Sequence, residues 1–460
     1  MWAIANLPRQ LGNTLRTALT QKPVDQKIWQ LAWPMILANL SVPALGLADT
    51  AMLGHLESSR FLSAVAIGSS LLAFIYWSFG FLRMGTTGAS AQAEGKDSAA
   101  LLLKALTVGL SIGVTIVIAQ PFLINTGLSL MDTPAKLHPL ADAYLHIRLL
   151  SAPAVLCTYA VSGWLIGQHN TRTPLIIAVA VNSLNIGLDY LFIVHMDWRS
   201  EGAAWASVIS EYCGFGIALL ATRAALKTSW QQGLSNAFKQ GQPLSHFLAD
   251  NGRIFMRTAA LLFSFAFFTA QGAALGENIL AANAILIQLV LAGAYGIDGF
   301  AHAAEALCGR AYSQKDKRRF LDCCRACGKW SLISALLATA ILLITKSPLL
   351  QLMTGLDSVR ELAKTYYPWL LAMPILSVWS YLLDGIFIGC LRTRAMQWGM
   401  LGSVFLVYLP LWYVSQPWLN HGLWLSFATF NLARGLSLGI AFYFLTRSNH
   451  WVAGNNIPTY

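Results

Sequence analysis

Asn182, Asn185 and Asp189 follow one another at i, i+3 and i+7. That spacing puts three polar side chains on one stripe of a helix. The run around them is otherwise apolar, so the stripe must face protein or a watery cavity rather than lipid. Seven further ionisable residues stand in apolar runs: Asp49, Arg148, Glu211, Asp298, Glu305, Asp384 and Arg434. A carboxyl removed from water holds its proton more tightly, and a second acid alongside strengthens the effect. Asp49 and Asp189 in one pocket would take up and release a proton near neutral pH, with Tyr144, Asn182 and Asn185 supplying hydrogen bonds. A fixed hydrogen-bond cluster tying two helices together is the plainer alternative. Asp49 comes late in a segment that contains Pro34 and Pro43. Proline frees a backbone carbonyl and lets a helix bend, so this segment reads as a moving part.

The other acids are open to several readings. Asp384 suits a cation ligand, a proton site or a salt-bridge partner. Asp298 is deep in its segment, and Glu305 reads as interfacial. Glu211 shares a helical face with Ser207, four residues earlier, and fits an internal hydrogen bond as well as a function. Arg148 would offset an acid or snorkel to the surface.

The elements that position these residues follow from composition. Of 460 residues, 56% are hydrophobic and 11% charged, and the mean hydropathy is +0.55. A soluble chain cannot bury that much apolar surface, which excludes a soluble enzyme, a disordered scaffold and a disulfide-stapled secreted domain. The seven cysteines are an odd number, mostly in apolar runs, and Cys324 and Cys327 form a lone C-x-x-C without a second ligand pair. No clustered His ligands, Walker A loop or Ser/His/Asp spacing is recognisable, so no cofactor, metal or ATP is expected.

Apolar runs long enough to cross a bilayer fall at roughly 29–55, 61–82, 102–124, 140–166, 174–195, 202–222, 255–275, 279–302, 330–346, 367–390, 398–418 and 422–445, twelve in all. The residues before them carry Arg9, Arg16, Lys22 and Lys27 without an apolar core and read as a cytoplasmic lead-in, not a signal peptide. With the N-terminus inside, 23 of the 31 Lys and Arg face the cytoplasm and six face outward, with Arg148 and Arg434 as the intramembrane bases. This positive-inside bias accounts for a net charge of +11 without nucleic acid. The expected organisation is a cytoplasmic segment 1–27, an N-lobe 28–226, a linker 227–250, a C-lobe 251–446 and a cytoplasmic tail 447–460.

The halves repeat. A shift of 222 residues aligns Leu53-Gly54 with Leu275-Gly276, Tyr144 with Tyr366, Gly163 and Gly167 with Gly385 and Gly389, and Thr171-Arg172 with Thr393-Arg394. Leu62–Ile67 resembles Leu280–Ile285 at a shift of 218, which implies a small gap. An even number of crossings separates the copies, so they are parallel repeats about an axis along the membrane normal. Two such lobes suit rocking about a central site, which a transporter uses and an enzyme does not need. The chemistry is asymmetric: Gln271, Val407 and Leu411 stand opposite Asp49, Asn185 and Asp189, which favours the N-lobe for protonation.

At these residues the chain resembles a multidrug and toxic compound extrusion (MATE) transporter of the DinF-type branch. The likeness spans about 28–446 and rests on Trp33-Pro34, on Asp49-Thr-Ala-Met-Leu-Gly54, on Asn185 with Asp189, on Gly202-Ala-Ala-Trp-Ala-Ser207, and on Asp384 to Gly389 followed by Arg392-Thr-Arg394. The resemblance implies an all-α membrane protein, twelve helices in two six-helix lobes forming a V, and antiport of organic, often cationic, drugs. By motif, Asp49 and Asp189 are the protonated acids, Tyr144, Asn182 and Asn185 surround them, and Pro34 is the bend. Ser207 replaces an expected Thr. Ser207, Glu211, Gln271, Asp298 and Asp384 are candidate substrate or secondary sites. Protons are the expected coupling ion. The alternatives are sodium through the C-lobe and a lipid or lipid-linked-sugar flippase; the latter would have a strongly cationic cavity. The expected setting is a bacterial inner membrane, with a monomer contacting only lipid and small organic compounds.

Overall fold

The computed structural model of the protein describes residues 24–54, 56, 58–231, 234–448 and 451. Most of the expected lead-in, including Arg9, Arg16 and Lys22, and most of the expected tail lie outside the described residues. No strand occurs among the described residues. Helix α1 is Val24–Gly54. It is followed by α2 (Ser59–Ser78), α3 (Phe81–Gln92), α4 (Gly95–Leu130), α5 (His138–Leu149), α6 (Ala152–Gly167), α7 (Arg172–Asp189) and α8 (Arg199–Gln231). A short α9 (Leu234–Lys239) leads to α10 (Leu244–Ala274), α11 (Glu277–Ser313), α12 (Lys317–Ile344), α13 (Lys346–Met353), α14 (Asp357–Gly389), α15 (Thr393–Gly402), α16 (Leu409–Ser415) and α17 (Leu419–Arg447). Single π-helical turns follow α7 (Tyr190–His195) and α15 (Ser403–Tyr408).

Nine stretches among the described residues are long and apolar enough to cross a membrane, and the pair α5–α6, bent by 48°, is a tenth. Pro153 at the start of α6 explains that break, because proline starts a helix readily but cannot continue one. The stretch Thr393–Arg447 holds two crossings, since α15 and α16 pack back along α17 after a tight turn at Gln416–Trp418. With α1 the crossings number twelve, six to a lobe. Several helices overrun the edges that hydropathy sets. Span two extends to Gln92, and span seven begins at Leu244. The expected linker 227–250 is therefore mostly helical: the end of α8, α9 and the start of α10.

The repeat is visible in the backbone. His169 and Leu391, 222 residues apart, both adopt left-handed conformations after a helix (φ 61° and 53°), as do Asp197 and Leu419 (52° and 50°). Left-handed residues are common helix stops but unusual in non-glycine types. A Cβ on Gly163 or Gly167 would strike the carbonyls of Arg83 and Thr87, and one on Gly385 or Gly389 would strike those of Ala301 and Glu305. Each lobe thus makes the same close helix crossing, and the second pair of carbonyls lies 218 residues after the first. The gap in the repeat falls between these partners and the glycines.

Call the end bearing the α1 N-terminus basal. Hydrogen bonds crossing between the lobes lie toward this end among the described residues: Gln92 donates to the Gly389 carbonyl (2.8 Å), Ser313 to that of Gln92 (3.2 Å) and Arg310 to that of Ala93 (3.4 Å). Gly88 lets α3 meet the Ile388 backbone directly. The deepest crossing contact joins Arg83 of α3 to His302 and Glu305 of α11. Arg83 Nη1 lies 3.2 Å from His302 Nδ1 and 3.6 Å from Glu305 Oε2. The lobes are joined at the base and diverge toward the far end, the geometry of a V.

Candidate functional site

The stripe on α7 is a buried face. Asn185 is 2% exposed and Asp189 fully buried, whereas the neighbouring Ser183, Leu184, Ile186 and Gly187 are exposed. Asp49, near the far end of α1, faces this stripe, and its carboxyl is within hydrogen-bonding reach of the Asp189 carboxyl. Beyond that mutual contact, Asp49 Oδ1 and both Asp189 oxygens have no hydrogen-bond partner. Two carboxylates brought this close repel unless they share a proton.

The flanking residues are less directly engaged than the sequence suggests. Asn182 donates to Ser41 Oγ of α1 (2.9 Å), and Asn185 donates to Ser207 Oγ of α8 (3.3 Å). Both fix α7 against its neighbours without bonding to the acids. Tyr144 lies 3.1 Å from Ser69 Oγ, and its ring occupies the space a Cβ on Gly68 would need. Its hydroxyl is thus bound to α2, not to the acid pair. Arg148 neither snorkels nor bonds an acid of the pair; its Nη1 donates to Glu211 Oε2 at 3.0 Å, an ion pair beside the site.

Helix α1 is divided between the lobes. Ile28, Leu31 and Ala32 belong to the C-lobe core with Phe300 and Phe320, while Leu53 belongs to the N-lobe core. Near the base, Asp25 accepts from Trp330 (2.7 Å) and pairs with Lys329 (2.8 Å), and Gly299 of α11 admits Ile36 and the Ala32 carbonyl. Toward the far end, Ser41 and Asp49 meet α7. Pro34, buried, sits at the changeover. α1 is one unbroken helix through Pro34 and Pro43, so neither proline interrupts it here; the side chain of Pro43 is outside the described residues. Proline at 34 leaves the Gln30 carbonyl without its helical donor. Thr171 supplies a substitute, its Oγ1 donating to the Gln30 oxygen at 3.4 Å. The helix is thus anchored in the C-lobe core below Pro34 and in the N-lobe core above it.

The C-lobe holds a different set. Asp384 Oδ2 accepts from both Arg257 and Arg434, the latter at 2.9 Å, and all three residues are at most 6% exposed. Of the readings open for Asp384, the structure selects the salt-bridge partner. Arg83 and Arg257 also stand inside helices long and apolar enough to cross the membrane, so Arg148 and Arg434 are not the only intramembrane bases. Hydropathy ends a span at the first charge, but a buried counter-ion lets the helix continue past it. Glu305 is likewise not interfacial: it is 2% exposed, between the lobes, with His302 Nδ1 at 3.1 Å. Asp298 lies one turn beyond His302 on the same face, half-buried and facing the same charged set. Gln271 is half-buried on α10. His302 was missed altogether; its i−3 spacing from Glu305 is the signal. Cys324 and Cys327 are buried in the C-lobe, with Cys308 Sγ 3.6 Å from Cys324 Sγ, too far for a bond.

Two parallel six-helix lobes joined at the base, with buried acids in both, are the architecture of a membrane transporter. The chain matches the MatE family over residues 34–191 and 254–414 and belongs to it: it is a MATE efflux transporter, not an enzyme. It is 38% identical over 436 residues to the DNA damage-inducible protein F of Escherichia coli (strain K12), covering 93% of this chain and 94% of that one. It is 24% identical over 411 residues to the probable multidrug resistance protein NorM of Thermotoga maritima, covering 86% and 84%. In fold it is similar to a mutant of the Vibrio cholerae MATE transporter VcmN (TM-score 0.81, 19% identity, 93% and 98% covered). It is also similar to a multidrug resistance MATE transporter described in an outward-facing conformation (TM-score 0.79, 18% identity, 94% and 97% covered).

Proposed function

We propose that the protein exports organic, often cationic, compounds in exchange for protons, and that the Asp49–Asp189 pair is the proton site, coupled to bending of α1 at Pro34. The observation that carries this reading is the acid pair itself: two carboxyls from different helices brought together, Asp189 fully buried and Asp49 half-buried, with Asp49 Oδ1 and both Asp189 oxygens lacking any other hydrogen-bond partner. With the base cytoplasmic, as the Lys and Arg bias favours, the pair lies toward the outside, where the V opens. Loss of the proton leaves two negative charges in contact, which drives the far part of α1 from α7. Gain of a proton restores the contact, and α1 bends where Thr171 already stands in for the missing donor. Because α1 is anchored in the C-lobe below Pro34, bending changes the volume between the lobes and expels the bound compound.

Sodium coupling through Asp384 is disfavoured because two guanidiniums already outweigh the single negative charge that would attract a cation. A flippase reading gains two intramembrane bases, Arg83 and Arg257, but each faces an acid, so they do not make a strongly cationic cavity.

Proteoliposomes loaded with a fluorescent organic cation separate these readings. An imposed proton gradient is expected to drive transport, and an equal sodium gradient at clamped pH is expected to leave it at the gradient-free rate. Transport driven by sodium alone overturns the proposal.

A further inference from the structure

We propose that the outer face of the C-lobe carries a binding groove for one anionic diacyl phospholipid of the leaflet at the basal end. A groove of about 1160 Å³ runs between α12, α14 and α17. Its walls include Trp379, Leu436 and Ile440, which are 45%, 60% and 62% exposed. Its floor is opened by glycines: a Cβ on Gly439 would meet nothing within 4 Å, and one on Gly328 would make only ordinary contacts with Leu382 and Trp379. Large apolar side chains around an unfilled floor on a membrane face leave space that lipid chains can fill by dispersion contact.

Length and charge identify the occupant. Along α17 the lining runs from Leu432 to Phe444, about 18 Å at ~1.5 Å per residue, against roughly 15 Å for the hydrocarbon of one leaflet. Charge is confined to one end. Arg325 and Lys329 line the groove there, and Arg447 stacks over Tyr443 of the lining at 4.2 Å from the ring centroid. Trp451, just past α17, packs against Phe320 of α12 (5.0 Å), which shows that these helix ends meet at the base. Lys329 is engaged by Asp25 at 2.8 Å. Arg325 has only a loose contact with Asp322 (3.8 Å) and a side chain 77% exposed, and Arg447 has no carboxylate partner among the described residues. An apolar trough as long as a leaflet, capped at one end by cations, is complementary to an anionic headgroup with its acyl chains. A hydrophobic cation, the kind of compound the cleft exports, would be repelled by the same cap. A lipid seated here would cover the seam between α14, which carries Asp384, and α17, which carries Arg434.

The experiment is native mass spectrometry of the delipidated full chain, titrated with palmitoyl-oleoyl phosphatidylglycerol or with the phosphatidylcholine of identical chains. One phosphatidylglycerol is expected to be retained in preference to phosphatidylcholine, and Arg325→Ala and Arg447→Ala are each expected to weaken that preference about fivefold. Gly439→Phe, which places a ring in the groove from a position where a Cβ meets nothing, is expected to abolish retention. Should that variant fail to fold, the two exposed arginine variants decide the question alone. Equal retention of the two lipids, unchanged preference in both arginine variants, unchanged retention in a folded Gly439→Phe, or displacement of phosphatidylglycerol by tetraphenylphosphonium overturns the proposal.

Discussion

Asp49→Asn is expected to reduce proton-driven export to the rate seen without a gradient while leaving the protein folded. Switching a two-state equilibrium from almost wholly one side to almost wholly the other needs a differential affinity of about 10⁴ for the ligand that drives it. Here that ligand is the proton, and the pair is where it binds. Without a titrating pair the gradient has nothing to act on, so the driven component vanishes, a loss of about tenfold or more in a transport assay. Stability should not fall, because the change removes a like charge and the amide can still donate to Asp189. Asp189→Asn is expected to give the same loss, and the double variant to be no worse than either single one. Groups that share one proton act as a unit, and their effects do not add. Normal export by a folded Asp49→Asn would mean that the proton binds elsewhere.

Asp384→Asn is expected to have the opposite profile, with a large loss of stability and no change in which ion drives transport. Its carboxylate balances Arg257 and Arg434 in a buried setting, and removing one partner of a buried ion pair costs about 3–5 kcal/mol because the other charge is left behind. Here two guanidiniums would face each other. Arg257→Gln should cost much less, since Asp384 keeps Arg434, and Asp384→Asn with Arg257→Gln should recover part of the loss. Thermal melting in detergent measures the order. If Asp384→Asn melts like the parent but changes the sodium dependence of transport, the carboxylate is a cation ligand and not a structural counter-ion.

The acid pair was legible in the sequence because it depends on residue type and helical period. Asn182, Asn185 and Asp189 can share a stripe only if α7 buries that face, and an aspartate late in an apolar segment has few places to go. The repeat was legible for a similar reason: glycines at crossings and turns are dictated by backbone approach, which leaves a fixed spacing behind. The C-lobe triad was not legible. Arg257 stands near the edge of an apolar run, and one-dimensional hydropathy cannot distinguish a charge at the membrane surface from one paired across 127 residues. Tyr144 failed for another reason. Its residue type allows many partners, and only the packing of α5 on α2 shows that Ser69 is the one it meets. The division of α1 between two cores also needs coordinates, since its apolar residues look alike in sequence whichever lobe they join.

The most direct test of proton-coupled bending is the distance between spin labels on α1 beyond Pro34 and on the C-lobe. Leu40 (49% exposed) and Ile344 (80% exposed) are suitable positions once the exposed Cys213 is replaced. A bend of ~30° at Pro34 carries Leu40, about 9 Å farther along the axis, through roughly 5 Å. In the otherwise unaltered chain the distance is expected to change by that amount as the pH is taken from about 8 to about 5. With Asp49→Asn and Asp189→Asn together it should stay at one value throughout. A pH-dependent shift that persists in the double variant, or no shift in the parent, would contradict coupling of this acid pair to α1.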